Sequence, residues 1–236
     1  IFISKCLIVC TTTTCNSRVI LVYNKLCTFI SSVEELTIVH SISVIVNSSN
    51  PIENQNFTNI DVAIDFSTPM SAFHNIKFIL SKGIPVVSGT TGWLNNINEV
   101  RRLALKKETG FLYASNFSIG VNIFFELNKK LSKLMQNHSE YKASIKEIHH
   151  TEKLDMPSGT ALSLQSQISK NIDIESERTK NVPGTHIVNY DSEIDSISIS
   201  HQAHNRMGFA QGSLIAAEWI VDKKGCFSMS DILKIN

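Results

Sequence analysis

Asp61-Val-Ala-Ile-Asp-Phe66 runs straight into Ser67-Thr68-Pro69 and a helix-like stretch over 69–82, then Pro85-Val-Val-Ser88 leads into Gly89-Thr90-Thr91-Gly92-Trp93. Two short apolar runs flank a run of helical spacing, and a loop of small hydroxyl residues follows each strand. Units of this kind predict parallel strands joined by crossover helices. The pattern extends both ways. Arg18-Val-Ile-Leu-Val-Tyr23 and Ile42-Ser-Val-Ile-Val46 read as earlier strands, Phe111-Leu-Tyr-Ala114 as a later one, with helix-like spacing over 25–38 and 95–108. The expectation is an α/β fold on a Rossmann-like, doubly wound parallel sheet.

Such sheets bind ligands beyond the carboxyl ends of their strands. Three loops fall there: Phe66-Ser67-Thr68-Pro69, Ser88-Gly89-Thr90-Thr91-Gly92-Trp93 and Ala114-Ser115-Asn116-Phe117. Their backbone donors, hydroxyls and amide suit a nucleotide's phosphates and carboxamide, although Gly and Thr also build ordinary turns.

The densest chemistry lies further on, in Glu147-Ile-His149-His150-Thr-Glu-Lys153-Leu-Asp155-Met-Pro157-Ser158-Gly159-Thr160-Ala161. Upstream, residues 143–148 alternate in the manner of a strand, which puts the histidines at a strand's end. Downstream, Pro157 and the hydroxyl residues open a helix over 161–168. A helix N-terminus offers unpaired N–H groups and partial positive charge, so with His150 and Lys153 beside it the segment reads as a cationic cup for an anion. His149 and Lys153 are the candidates for proton donor and charge clamp. The plainer alternative is a surface loop whose histidines only cap or pack.

Val121, Phe124, Phe125, Leu127, Leu131 and Leu134 mark the apolar stripe of a helix over 120–135. Strands over 143–149, 186–190 and 193–203 predict a second, partly antiparallel sheet. His201, His204 and Arg206 read as strand-end groups that satisfy buried backbone rather than as ligands. The expected organisation is a nucleotide-binding domain of residues 18–117 and 209–236 around a substrate and oligomerisation domain of 118–208. Residues 1–17, with their apolar start and Thr11–Thr14, read as a leader foreign to the fold.

Hydrophobic residues make up 42% of the 236, charged ones 18%, and the net charge is +1, which gives no general pull toward nucleic acid or membrane. Five cysteines, at 6, 10, 15, 27 and 226, match no familiar zinc spacing and read as free thiols in a reducing cytosol, so no metal is expected.

The run His149-His150-x-x-Lys153-x-Asp155-x-Pro157-Ser158-Gly159-Thr160-Ala161 resembles the signature of the dihydrodipicolinate reductases, with Met156 where the family usually has Ala. Gly89-Thr90-Thr91-Gly92 and Ala114-Ser-Asn116-Phe117-Ser-Ile-Gly120-Val-Asn122 resemble that family's cofactor loops. The resemblance covers roughly residues 42–236. It implies a cytoplasmic, homotetrameric enzyme of lysine and diaminopimelate synthesis that reduces a small cyclic imine dicarboxylate with NADH or NADPH. His149 and Lys153 would be catalytic. His150, Gly159 and Thr160 would bind substrate, and Gly89, Thr90, Thr91, Ala114, Ser115, Asn116 and Phe117 would border the cofactor.

One region departs from that family. All ten glycines lie at position 83 or later, so the expected glycine-rich turn after the first strand falls on Val22-Tyr23-Asn24-Lys25-Leu26-Cys27. The acidic residue expected after the second strand falls on Asn47. Weakened dinucleotide affinity follows, and with it a competing expectation: a non-catalytic relative that keeps the substrate cup and has lost the cofactor.

Overall fold

The computed structural model describes residues 6–10, 17–22, 40–153, 155–168, 172–205 and 207–234, with backbone alone up to 42. The chain divides into two units, one of Ile1–Phe117 with Phe209–Lys234, the other Ser118–Gly208.

The first unit is built on a seven-stranded sheet of order β11-β6-β5-β4-β1-β2-β3, in which β4 also pairs with β2. The strands are β1 (Cys6–Cys10), β2 (Ser17–Val22), β3 (His40–Ile45), β4 (Val62–Phe66), β5 (Val86–Ser88), β6 (Gly110–Tyr113) and β11 (Gly225–Phe227). All pairings are parallel except those of β1, which runs antiparallel to β2 and β4. Residues 6–10, expected to stand apart, are thus drawn as a strand of this sheet. Val62, Ala63, Ile64 and Asp65 are all buried, as a strand covered on both faces requires. The covering helices are α1 (Pro69–Ser81) and α2 (Ile97–Lys106). Pro69 opens α1 at a position where its missing N–H costs nothing, and Gly83 closes it at φ 78. Leu94–Asn96 forms a 3-10 turn, so α2 starts two residues later than its spacing predicts. The run 25–38 lies outside the described residues.

The second unit is a four-stranded sheet of order β10-β9-β7-β8, from β7 (Lys142–His149), β8 (Ile174–Arg178), β9 (Gly184–Asp191) and β10 (Ser196–Ala203). β7 pairs parallel with β8 and antiparallel with β9. Helices α3 (Ile119–Met135) and α4 (Gly159–Ser166) share a core with it: Phe124, Met135, Ala161 and Leu164 pack with Ile145, Val188 and Tyr190. The buried face of α3 is Val121, Phe124, Asn128, Ser132 and Met135, which corrects the apolar stripe. Leu127 and Leu134 are 50% and 72% exposed. Asn128 takes the inward place because its amide donates to the Leu164 carbonyl and the Gln167 side chain, both at 3.0 Å.

Two further helices complete the described chain, α5 (Met207–Ile220) and α6 (Met229–Leu233). In α5, Gly212 is required by space: a Cβ there would lie 1.9 Å from the Phe117 carbonyl oxygen. Among the described residues no helix is long and apolar enough to cross a membrane.

Candidate active site

Sheet register in the first unit aligns Val22 with Asp65, Asp65 with Ser88 and Ser88 with Tyr113. The loops carrying Gly89, Thr90, Thr91 and Ala114–Phe117 therefore leave from one edge at one level, where open α/β sheets hold nucleotides. Asp65 organises this edge. Its carboxylate is fully buried and accepts from the Ser67 N–H at 3.2 Å, the Ser88 hydroxyl at 2.9 Å and the Thr90 hydroxyl at 2.8 Å. Burial pushes its pKa up, against those hydrogen bonds. Thr90 thus spends its hydroxyl inward, while Thr91 and Ser115 are exposed and Asn116 and Phe117 buried. Gly89 packs so closely under the Phe66 ring that a Cβ would come within 2.2 Å of it. Asn47 accepts from the Ser49 N–H at 2.9 Å, and residues 23–27 lie outside the described chain.

In the second unit β7 is central, and its side chains alternate so that Ile145, Glu147 and His149 share the buried face. Register then assembles a polar cluster at the end of that face: Glu147 stands opposite His186 on β9 and Ser176 on β8, and His149 opposite Arg178. Glu147 is fully buried. It accepts from the Ser158 N–H at 3.1 Å to each oxygen, from the Ser176 hydroxyl at 2.8 Å and from Arg178 Nη2 at 3.3 Å. Burial works to raise its pKa, but the hydrogen bonds from Ser158 and Ser176 and the His149 ring more than offset that, and the net shift is downward. Arg178 also donates to the Asp155 carbonyl at 2.7 Å, so the loop between β7 and α4 is pinned at both Asp155 and Ser158.

His149 is 7% exposed, and its Nε2 lies 3.2 Å from His186 Nε2 and 3.5 Å from Glu147 Oε2. Burial lowers the pKa of both rings, that of His186 to about 4. His150 and Lys153 sit further out. His150 Nδ1 meets Glu152 at 2.9 Å, and Lys153 Nζ holds both Asp155 oxygens, at 2.7 and 2.8 Å. Ser158 caps α4 by accepting from the Ala161 N–H at 3.1 Å. Gly159 donates its N–H to Asp155, and above its Cα there is open space. His149, His150, Lys153, Gly159 and Thr160 are therefore carried on one strand end, the loop after it and the first turn of α4, while His201 packs apart, near Phe124. Arg206 lies outside the described residues.

Glu147, Arg178, Ser176 and His186 were not singled out as site residues by the sequence reading. The one local signal is Glu147-x-His149, whose spacing places both on one strand face; the others come from strands distant in sequence. Glu147, His149 and His186 could present metal ligands, with separations of 3.2, 3.5 and 3.8 Å that suit a tetrahedral ion. The Arg178 guanidinium on the same carboxylate opposes a dication there, so the cluster reads as a hydrogen-bond network.

Two family models match, "Dihydrodipicolinate reductase, N-terminus" over residues 8–117 and "Dihydrodipicolinate reductase, C-terminus" over 120–233. The 4-hydroxy-tetrahydrodipicolinate reductase of Christiangramia forsetii is 46% identical over 220 residues, 86% of this chain and 92% of the relative. That of Buchnera aphidicola is 36% identical over 219 residues, 81% of this chain and 78% of the relative. Among solved structures, the dipicolinate-bound dihydrodipicolinate reductase of Paenisporosarcina sp. TG-14 superposes with a TM-score of 0.59 at 25% identity, covering 72% of each chain.

Proposed function

Because this chain belongs to the dihydrodipicolinate reductase family, we propose that it reduces 4-hydroxy-tetrahydrodipicolinate to tetrahydrodipicolinate with NADH or NADPH in lysine and diaminopimelate synthesis. The observation that carries this reading is that the cup already grips a carboxylate. Lys153 Nζ and the Gly159 N–H converge on the side chain of Asp155, and these are the donors a substrate carboxylate needs. The substrate is a cyclic dicarboxylate, and the Paenisporosarcina relative is described with dipicolinate, a ring of the same kind.

In this reading Lys153, His150, Gly159 and Thr160 bind the substrate carboxylates, and Lys153 or His149 gives the proton that completes reduction. A fixed ammonium beside developing negative charge stabilises the transition state. The nicotinamide supplies the hydride. Gly89, Thr90, Thr91 and Ala114–Phe117 border it, Thr90 through its backbone because its hydroxyl is taken by Asp65. The amino-terminal family model runs from 8 to 117, across the glycine-free stretch 22–27, and the 46% identical relative is named as the reductase, which supports the enzyme reading. The first unit is the nucleotide domain, and the second binds substrate and joins four copies in the cytoplasm, its β9–β10 turn displaying Ile194 at 92% exposure and its β10 edge Ile197 at 39%.

The test is a reductase assay on the purified chain with each nicotinamide, beside calorimetry for NADH and NADPH. Substrate-dependent loss of nicotinamide absorbance is the expected result. No turnover and no binding at millimolar cofactor would sink the reading.

A further inference from the structure

The His149 ring is held at both nitrogens by groups of its own unit. Nδ1 is turned toward Gly184, 3.1 Å from where a Cβ of that residue would be, and the ring donates to the neighbouring Pro183 carbonyl. Nε2 faces His186 Nε2 at 3.2 Å and Glu147 Oε2 at 3.5 Å. Two neutral imidazoles bridged through these nitrogens share one proton. The contact with Pro183 assigns the His149 proton to Nδ1, and with it the bridging proton to His186. The remaining nitrogen of His186, Nδ1, then carries no hydrogen, in keeping with its being buried without a partner. The Ser158 hydroxyl oxygen, 3.1 Å from His186 Nε2, is a second acceptor for the same N–H.

We propose that His186 and Glu147 are positioning residues for His149, His186 fixing the tautomer of the neutral ring and Glu147 standing opposite the nitrogen that takes the second proton. The inference rests on the reading of His149 as an acid and says where its acid proton sits: on Nε2, inside the cluster, facing Glu147 Oε2 once the His186 N–H has turned to the Ser158 hydroxyl. The charged groups facing the ring come from every surrounding element: Glu147 on β7, His186 on β9, Arg178 on β8 and Lys153 on the loop before α4. Of these, Glu147 favours the imidazolium, while Lys153 and Arg178 oppose it.

The test combines nitrogen NMR of the ligand-free full chain with the pH profile of kcat/KM. The expected tautomers are Nδ1–H for His149 and Nε2–H for His186. Glu147→Gln keeps an acceptor for the Ser158 N–H but loses the charge, so the limb set by His149 protonation should move to lower pH by about one unit or more. His186→Leu should lower kcat/KM about tenfold or more, and His186→Gln, which retains a donor at the same place, should recover most of it. A His149 proton on Nε2 in the neutral state overturns the proposal, as does His186→Gln no better than His186→Leu. A chain that shows the expected tautomers but oxidises neither nucleotide refutes the reductase reading instead. If His186→Leu fails to fold, the tautomers and the Glu147→Gln profile still decide.

Discussion

Asp65 in the first unit and Glu147 in the second are both fully buried carboxylates near the carboxyl end of a central strand, yet their pKa values move in opposite directions. The described partners of Asp65 are neutral donors, the Ser67 N–H and the hydroxyls of Ser88 and Thr90. Glu147 has such donors too, but also Arg178 and two imidazoles. At Asp65 burial outweighs the three neutral donors, whereas at Glu147 the hydrogen bonds from Ser158 and Ser176, together with the His149 ring, outweigh burial. A loop held by a carboxylate among hydroxyls should survive neutralisation, whereas one held through an ion pair should not.

Glu147→Ala should show the largest effect, because it strands Arg178 and the Ser158 N–H in a buried site. A loss of about 3–5 kcal/mol is expected in denaturant unfolding. A loss below about 1 kcal/mol would mean that the two carboxylates do not differ as described. Next comes acid. His186 has a folded pKa of about 4, below its unfolded value, so between the two the unfolded chain binds more protons and stability falls as pH drops from about 6.5 toward 4. The linkage amounts to about 3 kcal/mol at most, read as unfolding midpoints across that window, and His186→Phe should flatten the curve. Lys153→Met lies outside both buried networks. Turnover should fall about a hundredfold with stability changed by less than about 0.5 kcal/mol, since its partner Asp155 is an exposed residue. The smallest effect belongs to Asp65→Asn, at about 1 kcal/mol or less, because hydroxyl donors can turn to an amide oxygen.

Much of the fold was legible because parallel strands announce themselves as continuous apolar runs. Val62–Phe66 and Val86–Ser88 were both placed within a residue of their bounds. β8, Ile-Glu-Ser-Glu-Arg, was missed: its one apolar residue gives no period, and its strand conformation is set by pairing with β7. The α3 stripe was misassigned for the converse reason, since Asn128 and Ser132 look polar in sequence but point inward to partners on other elements. At the site, the cup residues stand within twelve positions of one another and could be read together. Glu147, Arg178 and His186 meet only through register across three strands, and no local spacing encodes that.

If Lys153 binds the substrate carboxylate as proposed, Asp155 is a tethered rival of the substrate. A carboxylate on a two-residue leash presents itself to Lys153 at a high effective concentration, so each incoming substrate must exchange with it rather than fill a vacant place. The same exchange run backwards would help product leave, because the cup can close on its own acid as the ligand departs. Affinity forgone on entry is returned as speed on exit.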